Sequence, residues 1–174
     1  MAINSKNKGN TWEREVAKFL SSIFKESFIR SVSSGAFVGG LNAHRKDKLS
    51  ESQITMSKGD IIPPDNMLKL NIEAKFYGDM SFHQLIDNDC PQLNSWIDQS
   101  NFTADTGDIS FIIFKINRRG SWVVFRESLI KKFKLDGYVR YKHEDQFYII
   151  VDFEKFFTTN YKKIKLLAKT EKGA

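Results

Sequence analysis

Two short segments carry charged residues whose types and spacing could do chemistry. The first is Gly59-Asp60-Ile61-Ile62, where an aspartate immediately precedes an apolar pair. The second is Leu68-Lys69-Leu70-Asn71-Ile72-Glu73-Ala74-Lys75-Phe76, in which Leu68, Leu70, Ile72, Ala74 and Phe76 alternate with polar residues. Alternation of period two marks a strand with one apolar face, so Glu73 and Lys75 share the other face. Only the turn Pro63-Pro64-Asp65-Asn66 separates the apolar runs, and so short a connection predicts a hairpin that brings Asp60 beside Glu73 and Lys75. Carboxylate oxygens are hard ligands suited to Mg²⁺ or Mn²⁺. Such an ion can acidify a water and neutralise charge developing on a phosphodiester. The lysine can orient that water or stabilise the transition state. The bland alternative is a surface hairpin whose cross-strand ion pair is worth about 0.2–1 kcal/mol. E-x-K by itself is common; the G-D at hairpin distance is what gives it weight.

A third carboxylate lies on the first helix. Trp12, Val16, Phe19, Leu20 and Ile23 recur at helical spacing and predict an amphipathic helix over roughly 11–25. Projected around that helix, Glu13 falls inside the apolar arc while Arg14, Lys18 and Lys25 lie opposite. A carboxylate aimed at a core is costly unless it is paired or binds metal. Asn10, three residues earlier, offers one account: an N-cap, with Glu13 closing a capping box. The other account is that Glu13 is the third acid of a metal site with Asp60 and Glu73.

The elements that must hold these groups follow from the rest of the chain. Residues 1–9 read as a flexible basic arm, 27–32 as extended, and 33–58 mainly as loop. Beyond the E-x-K strand, Ser81 and Gln84 can cap a short helix. Asp89, Pro91 and Gln92 start another, with Leu93, Trp96 and Ile97 on its buried side. Residues 109–116 and 121–125 flank Asn117-Arg118-Arg119-Gly120 as a hairpin, a short helix covers 127–133, and 138–142 with 146–151 make a second hairpin. The end is helical and basic. The expected architecture is a single α/β domain, a mixed β-sheet flanked by helices, over 10–160, followed by a basic C-terminal helix or tail over 161–174.

Composition sets the outer bounds. The 174 residues hold 27 Lys+Arg against 21 Asp+Glu, a formal charge of +6, with fifteen Phe to fill a core. That length suits one compact domain, and the composition excludes a mainly disordered or repeat-built chain. The single cysteine, Cys90, excludes an internal disulfide framework and fits a reducing cytoplasm. No apolar run approaches the roughly 20 residues that cross a bilayer, and the polar start MAINSKNKGNTW lacks a signal peptide's apolar stretch. Charge is unevenly spread: from Phe76 to Phe114 there are six Asp and no Lys or Arg. The flanks are therefore more basic than the average, and if the segregation survives folding one face attracts phosphate and another repels it.

Taken in order, Lys8-Gly9-Asn10-Thr11-Trp12-Glu13-Arg14, Arg30-Ser31-Val32-Ser33-Ser34-Gly35, Gly59-Asp60-Ile61-Ile62 and Glu73-Ala74-Lys75 resemble the motifs of PD-(D/E)XK nucleases. The match is most similar to the archaeal-type Holliday junction resolvases, and it covers about the first half of the chain. The resemblance implies a restriction-endonuclease-like fold in which Glu13, Asp60 and Glu73 hold Mg²⁺, with Mn²⁺ as substitute, and Lys75 assists catalysis. It also implies a supporting role for Ser34, a phosphate contact for Arg30, and an active-site glutamine at Gln92, with Gln84 as rival. Such enzymes are homodimers whose two sites each nick one strand of a four-way junction. Trp96, Phe102 and the 109–114 strand are candidates for the dimer contact. Gly59 stands where the family has proline, a change read here as harmless. The 39–57 loop is longer than in the compact archaeal enzymes.

Lys6, Lys8, Arg14, Arg30, Arg45, Lys46, Lys48 and Lys58 are the candidate DNA contacts, since phosphate needs only accessible positive charge. The glycine-rich run at 33–40 lacks the G-K-[ST] ending of a nucleotide P-loop, and His44, His83, His143 and Cys90 show no zinc-ligand spacing. The reading is thus a metal-dependent, structure-specific endodeoxyribonuclease, cytoplasmic (in the host's cytoplasm where a phage encodes it), with DNA as partner and no membrane. The alternatives are a nuclease of this superfamily with other specificity and a non-catalytic DNA-binding protein of the same fold.

Overall fold

The computed structural model describes residues 5–31 and 58–169. Ser34, Arg45, Lys46 and Lys48 therefore lie outside the described residues. The chain forms one seven-stranded mixed sheet covered by helices on both faces, the α/β fold expected of a restriction-endonuclease-like domain. In chain order the elements are α1 (Ser5–Phe24), β1 (Ile29–Arg30), β2 (Ile61–Ile62), β3 (Leu70–Tyr77), α2 (Phe82–Ile86), α3 (Pro91–Thr103), β4 (Ile109–Ile116), β5 (Gly120–Arg126), β6 (Val139–His143), β7 (Gln146–Asp152) and α4 (Phe153–Ala168). Strand order is β1-β2-β3-β4-β5-β7-β6. Only β3 and β4 run parallel, because α2 and α3 supply the long crossover that a parallel pair requires.

The sheet divides the core in two. Leu70, Ile72 and Ala74 of β3 and Phe111 and Ile113 of β4 face a layer built from α1 and α4. Ile112, Phe114 and Ile116 face α3, through Leu93, Trp96 and Ile97. A strand covered on both faces has no use for alternation, which explains the nearly continuous apolar run Ile109–Ile116. Trp96 and the 109–114 strand are thereby consumed in the monomer core, and of the candidate dimer contacts only Phe102 is exposed, at 60%.

Three boundaries differ from expectation. The first helix begins at Ser5, taking in residues assigned to a flexible arm. Gly9 argues for a later start, since glycine disfavours helix by about 1 kcal/mol, but tertiary contacts offset it: the Lys8 ammonium lies 5.9 Å from the Phe76 ring centre. Asn10 is consequently inside the helix and is no N-cap. At the other end α4 runs unbroken through residue 160. Buried Asn160 bonds Lys134 through both backbone groups, at 2.8 and 3.0 Å, and Ile164 and Ala168 are core residues. The segment 161–168 thus belongs to the domain. Finally β3 is displaced to Leu70–Tyr77, and its pairing with β2 places Ile61 opposite Ile72, the hairpin partner foreseen for the G-D segment.

Candidate active site

The middle of β3 directs Asn71, Glu73 and Lys75 to the α3 side of the sheet, opposite Leu70, Ile72 and Ala74. Asp60 is locked against it by the backbone. Its N–H donates to the Ile72 carbonyl at 3.0 Å and its carbonyl accepts from Ser31 N–H at 2.8 Å. The approach is close enough that a Cβ at Gly59 would lie 2.4 Å from the Ile72 oxygen. Glycine at 59 is therefore a steric requirement here, not a neutral replacement for proline.

Three charged groups meet at this point. Asp60 Oδ2 accepts from Ala74 N–H at 2.9 Å and from Lys75 Nζ at 3.3 Å. Glu73 Oε2 accepts from Lys75 Nζ at 2.7 Å and from Gln99 Nε2 at 3.2 Å. Glu73 is 0% exposed, and its second oxygen, Oε1, has no hydrogen-bond partner. Burial, and then the neighbouring Asp60 charge, push the Glu73 carboxyl up to about 7 despite the opposing pull of Lys75. Burial pulls the Lys75 ammonium down, but the Glu73 and Asp60 charges outweigh it and its pKa is raised. Lys75 is thus a fixed positive charge at neutral pH and not a general base.

The glutamine in contact with this group is Gln99. Gln92 and Gln84 make no hydrogen bond to it. Gln92 lies seven residues earlier on α3, so both point in nearly the same direction, but they are about 10 Å apart along the axis. The seven-residue relation is the signal that could have found Gln99.

Glu13 stands apart from the pair. Arg30 Nε donates to Glu13 Oε2, and Arg30 Nη2 donates to Asn10 Oδ1 at 2.8 Å. Asn10 and Glu13, spaced as a capping box, are instead two jaws of one helix face closing on the arginine of β1. Among the described residues no group of three or more His, Cys, Asp or Glu side chains stands close enough to hold a metal. Asp60 and Glu73 are brought together at Lys75, while Glu13, expected as the third acid, is in an ion pair with Arg30.

The candidate DNA contacts also sort by their partners. Lys58 is buried, with Nζ 2.8 Å from both Asp105 and Asp108. Burial opposes its charge, yet these carboxylates leave its pKa raised. It is a structural ammonium, not a free phosphate contact. Arg30 is engaged as described, Lys8 borders Phe76, Lys6 falls in the first turn of α1, and Arg14 is exposed.

Residues 4–168 match the family described as "Phage putative PDDEXK endonuclease". The chain belongs to this family. PDDEXK membership makes it a nuclease of the PD-(D/E)XK superfamily, and the match runs through α4, well beyond the half of the chain that carries the motifs. The Gly59-Asp60 and Glu73-Ala74-Lys75 segments both lie within the matched residues. No curated protein and no solved structure matches the chain.

Proposed function

We propose that this PDDEXK protein is a metal-dependent endodeoxyribonuclease that cuts branched DNA, acting as a homodimeric Holliday junction resolvase. The observation that carries the catalytic part is the buried Glu73 carboxylate, with an unpartnered oxygen, next to a second carboxylate on Asp60. Two adjacent hard carboxylates, one of them reluctant to ionise alone, fit a divalent cation. Mg²⁺ is commonly bound through only one or two carboxylates, with water and substrate phosphate as the other ligands. Asp60 and Glu73 would hold Mg²⁺ or Mn²⁺, which acidifies water and offsets phosphodiester charge when bound.

The chain's own residues supply the rest. Lys75, kept protonated by the two acids, adds a positive charge where a phosphodiester gains negative charge in its transition state. Gln99 fixes the orientation of the Glu73 carboxylate from α3. Ala74 N–H does the same for Asp60 from the backbone. Arg30, on the strand paired with the Asp60 segment, places a guanidinium where a phosphate can exchange for Glu13. Support for the junction specificity is the motif order, which is most similar to the resolvases. With one such acid pair among the described residues, paired nicks need two copies.

The test is incubation of the protein with labelled four-way junction, flap and duplex DNA, with Mg²⁺ or EDTA, beside Glu73→Ala. Metal-dependent paired nicks confined to the junction are expected. Equal cutting of plain duplex would sink the resolvase assignment and leave a nuclease of other specificity. Binding without cutting would instead favour a non-catalytic DNA-binding protein. A persistent monomer by light scattering contradicts the two-site mechanism.

A further inference from the structure

We infer that the outer surface of the α1/α4 layer is a second DNA-binding face, separate from the Asp60–Glu73–Lys75 group and on the opposite side of the sheet. The inference rests on the nuclease reading and deepens it, because a protein that holds duplex on two faces is suited to branched substrates. Along α1, Thr11, Arg14, Lys18 and Ser22 are exposed at steps of three and four residues, the solvent side of the helix, and Lys25 is exposed just past its end. On α4, Lys162 and Lys163 are exposed, as is Lys169 just past its end.

The two helices bring these residues together. Trp12 and Phe19 meet Phe153, with ring centres 5.9 and 4.7 Å apart, and Phe24 meets Phe157 and Tyr161 at 6.3 and 6.2 Å. Residue numbers rise together, so the helices lie side by side and point the same way. Three acids in or beside the layer are already paired: Glu15 with Lys115, Glu26 with Lys165 and Asp136 with Lys155. Asp152 and Glu154 sit at the start of α4, its positive end. Among the described residues, none of Arg14, Lys18, Lys25, Lys162, Lys163 and Lys169 is in an ion pair.

A plainer account is that lysines gather at helix C-termini to offset the macrodipole. That end carries only about half a charge per helix, whereas Lys25, Lys162, Lys163 and Lys169 cluster around two such ends. The opposite layer has the reverse sign: Asp79, Asp87, Asp89 and Asp98 are exposed on or beside α2 and α3, in the stretch without Lys or Arg. The charge segregation of the sequence thus becomes a segregation between faces. From Arg14 to its last residue, Phe24, the helix rises about 15 Å, the length of about four phosphate steps on one DNA strand. An anionic membrane would accept the same charge, but the apolar sides of α1 and α4 are spent on the core and cannot insert.

The experiment uses the full chain and the triple variant Lys162→Glu/Lys163→Glu/Lys169→Glu. Binding to four-way junction and long duplex is followed by fluorescence anisotropy across a salt series in EDTA, with thermal melting as a control for folding. The expected result is a loss of about tenfold or more in affinity and a shallower salt dependence, by about 0.9 for each phosphate contact removed, at unchanged melting temperature. Nicking of saturating substrate in Mg²⁺ should persist. Unchanged affinity and salt slope in this variant and in Lys18→Glu/Lys25→Glu overturn the inference while leaving the nuclease reading intact. Loss of binding to phosphatidylserine vesicles with DNA binding unaltered overturns it in favour of a membrane surface. A wild-type protein that neither binds nor cuts any of the DNAs removes the nuclease reading and this inference together.

Discussion

Lys58 and Lys75 each sit between two carboxylates, and the two triads begin only two residues apart in the chain, at Lys58 and Asp60. Their environments differ. Around Lys58 the surplus negative charge reaches water through Asp105, whose side chain is 44% exposed, while the more buried Asp108, at 7%, also accepts the Asp105 N–H at 2.8 Å. Around Lys75 the surplus is trapped: Glu73 is fully buried, one oxygen has no partner, and its carboxyl is pushed up to about 7. A structural ion cluster satisfies its charges. The Lys75 triad instead keeps a buried carboxyl shifted far from its ordinary value, a mark of candidate functional sites.

The sharpest break of this comparison is removal of the acid or the lysine. Glu73→Gln and Lys75→Met are each expected to lower metal-dependent DNA cleavage by about 100-fold or more, measured as single-turnover nicking. Glu73→Gln should at the same time leave folding stability unchanged or raised, since it deletes a costly buried charge. Lys58→Met is expected to do the reverse, costing about 3 kcal/mol in urea unfolding by stranding Asp108. Its residual folded fraction should retain cleavage. Equal loss of activity in Lys58→Met at full folding would erase the distinction between the triads.

Next in size is Gly59→Ala. The new Cβ meets the Ile72 carbonyl oxygen, so strand and loop must separate, at an expected cost of about 1–3 kcal/mol in stability with loss of cleavage as Asp60 moves. A variant with wild-type stability and activity would show that the loop shifts freely.

The pH dependence of the metal-free protein separates the triads without changing geometry. Glu73 has its carboxyl raised from 4.5 to about 7, so the folded state binds the proton more tightly than the unfolded one. Its stabilising contribution is fully present below 4.5 and is lost as pH rises through about 7, by on the order of 2–3 kcal/mol. Asp60, Lys75 and Gln99 are the groups that face it. Glu73→Gln should abolish that slope. The carboxylates of Glu26, Glu127 and Asp136 are lowered by their Lys and Arg partners, so they lose stability only at more acid pH, with opposite sign. The smallest effect is expected from Gln99→Ala, about 1 kcal/mol, read as a several-fold fall in cleavage with unchanged DNA affinity.

Much of the site was legible because short-range rules govern it. Period two in β3 places Glu73 and Lys75 on one face, and the brief 63–66 turn forces the hairpin that delivers Asp60. Local rules were misleading where a distant partner outcompeted them. Asn10 and Glu13 satisfy the spacing of a capping box, yet Arg30, seventeen residues from Glu13, takes both. Lys58 has the appearance of one more basic residue near the site, but Asp105 and Asp108, some fifty residues on, surround it. Gln92 occupies the correct helix and the correct side of it; only the position of α3 over β3 selects Gln99. The family match adds the α4 half of the chain, where no motif stands out because its residues serve packing.

What the sequence alone determined is the chemistry on offer: which carboxylates and lysine share a strand face, that an acid precedes the paired strand, and that negative and positive charge occupy different stretches. Those facts depend on periodicity and covalent proximity. Tertiary structure alone decided how deeply Glu73 is buried, that Glu13 is held by Arg30, and that the basic stretches converge on the α1/α4 layer. Burial and long-range pairing depend on which surfaces meet, and charges far apart in the chain interact only once packing has removed the water between them.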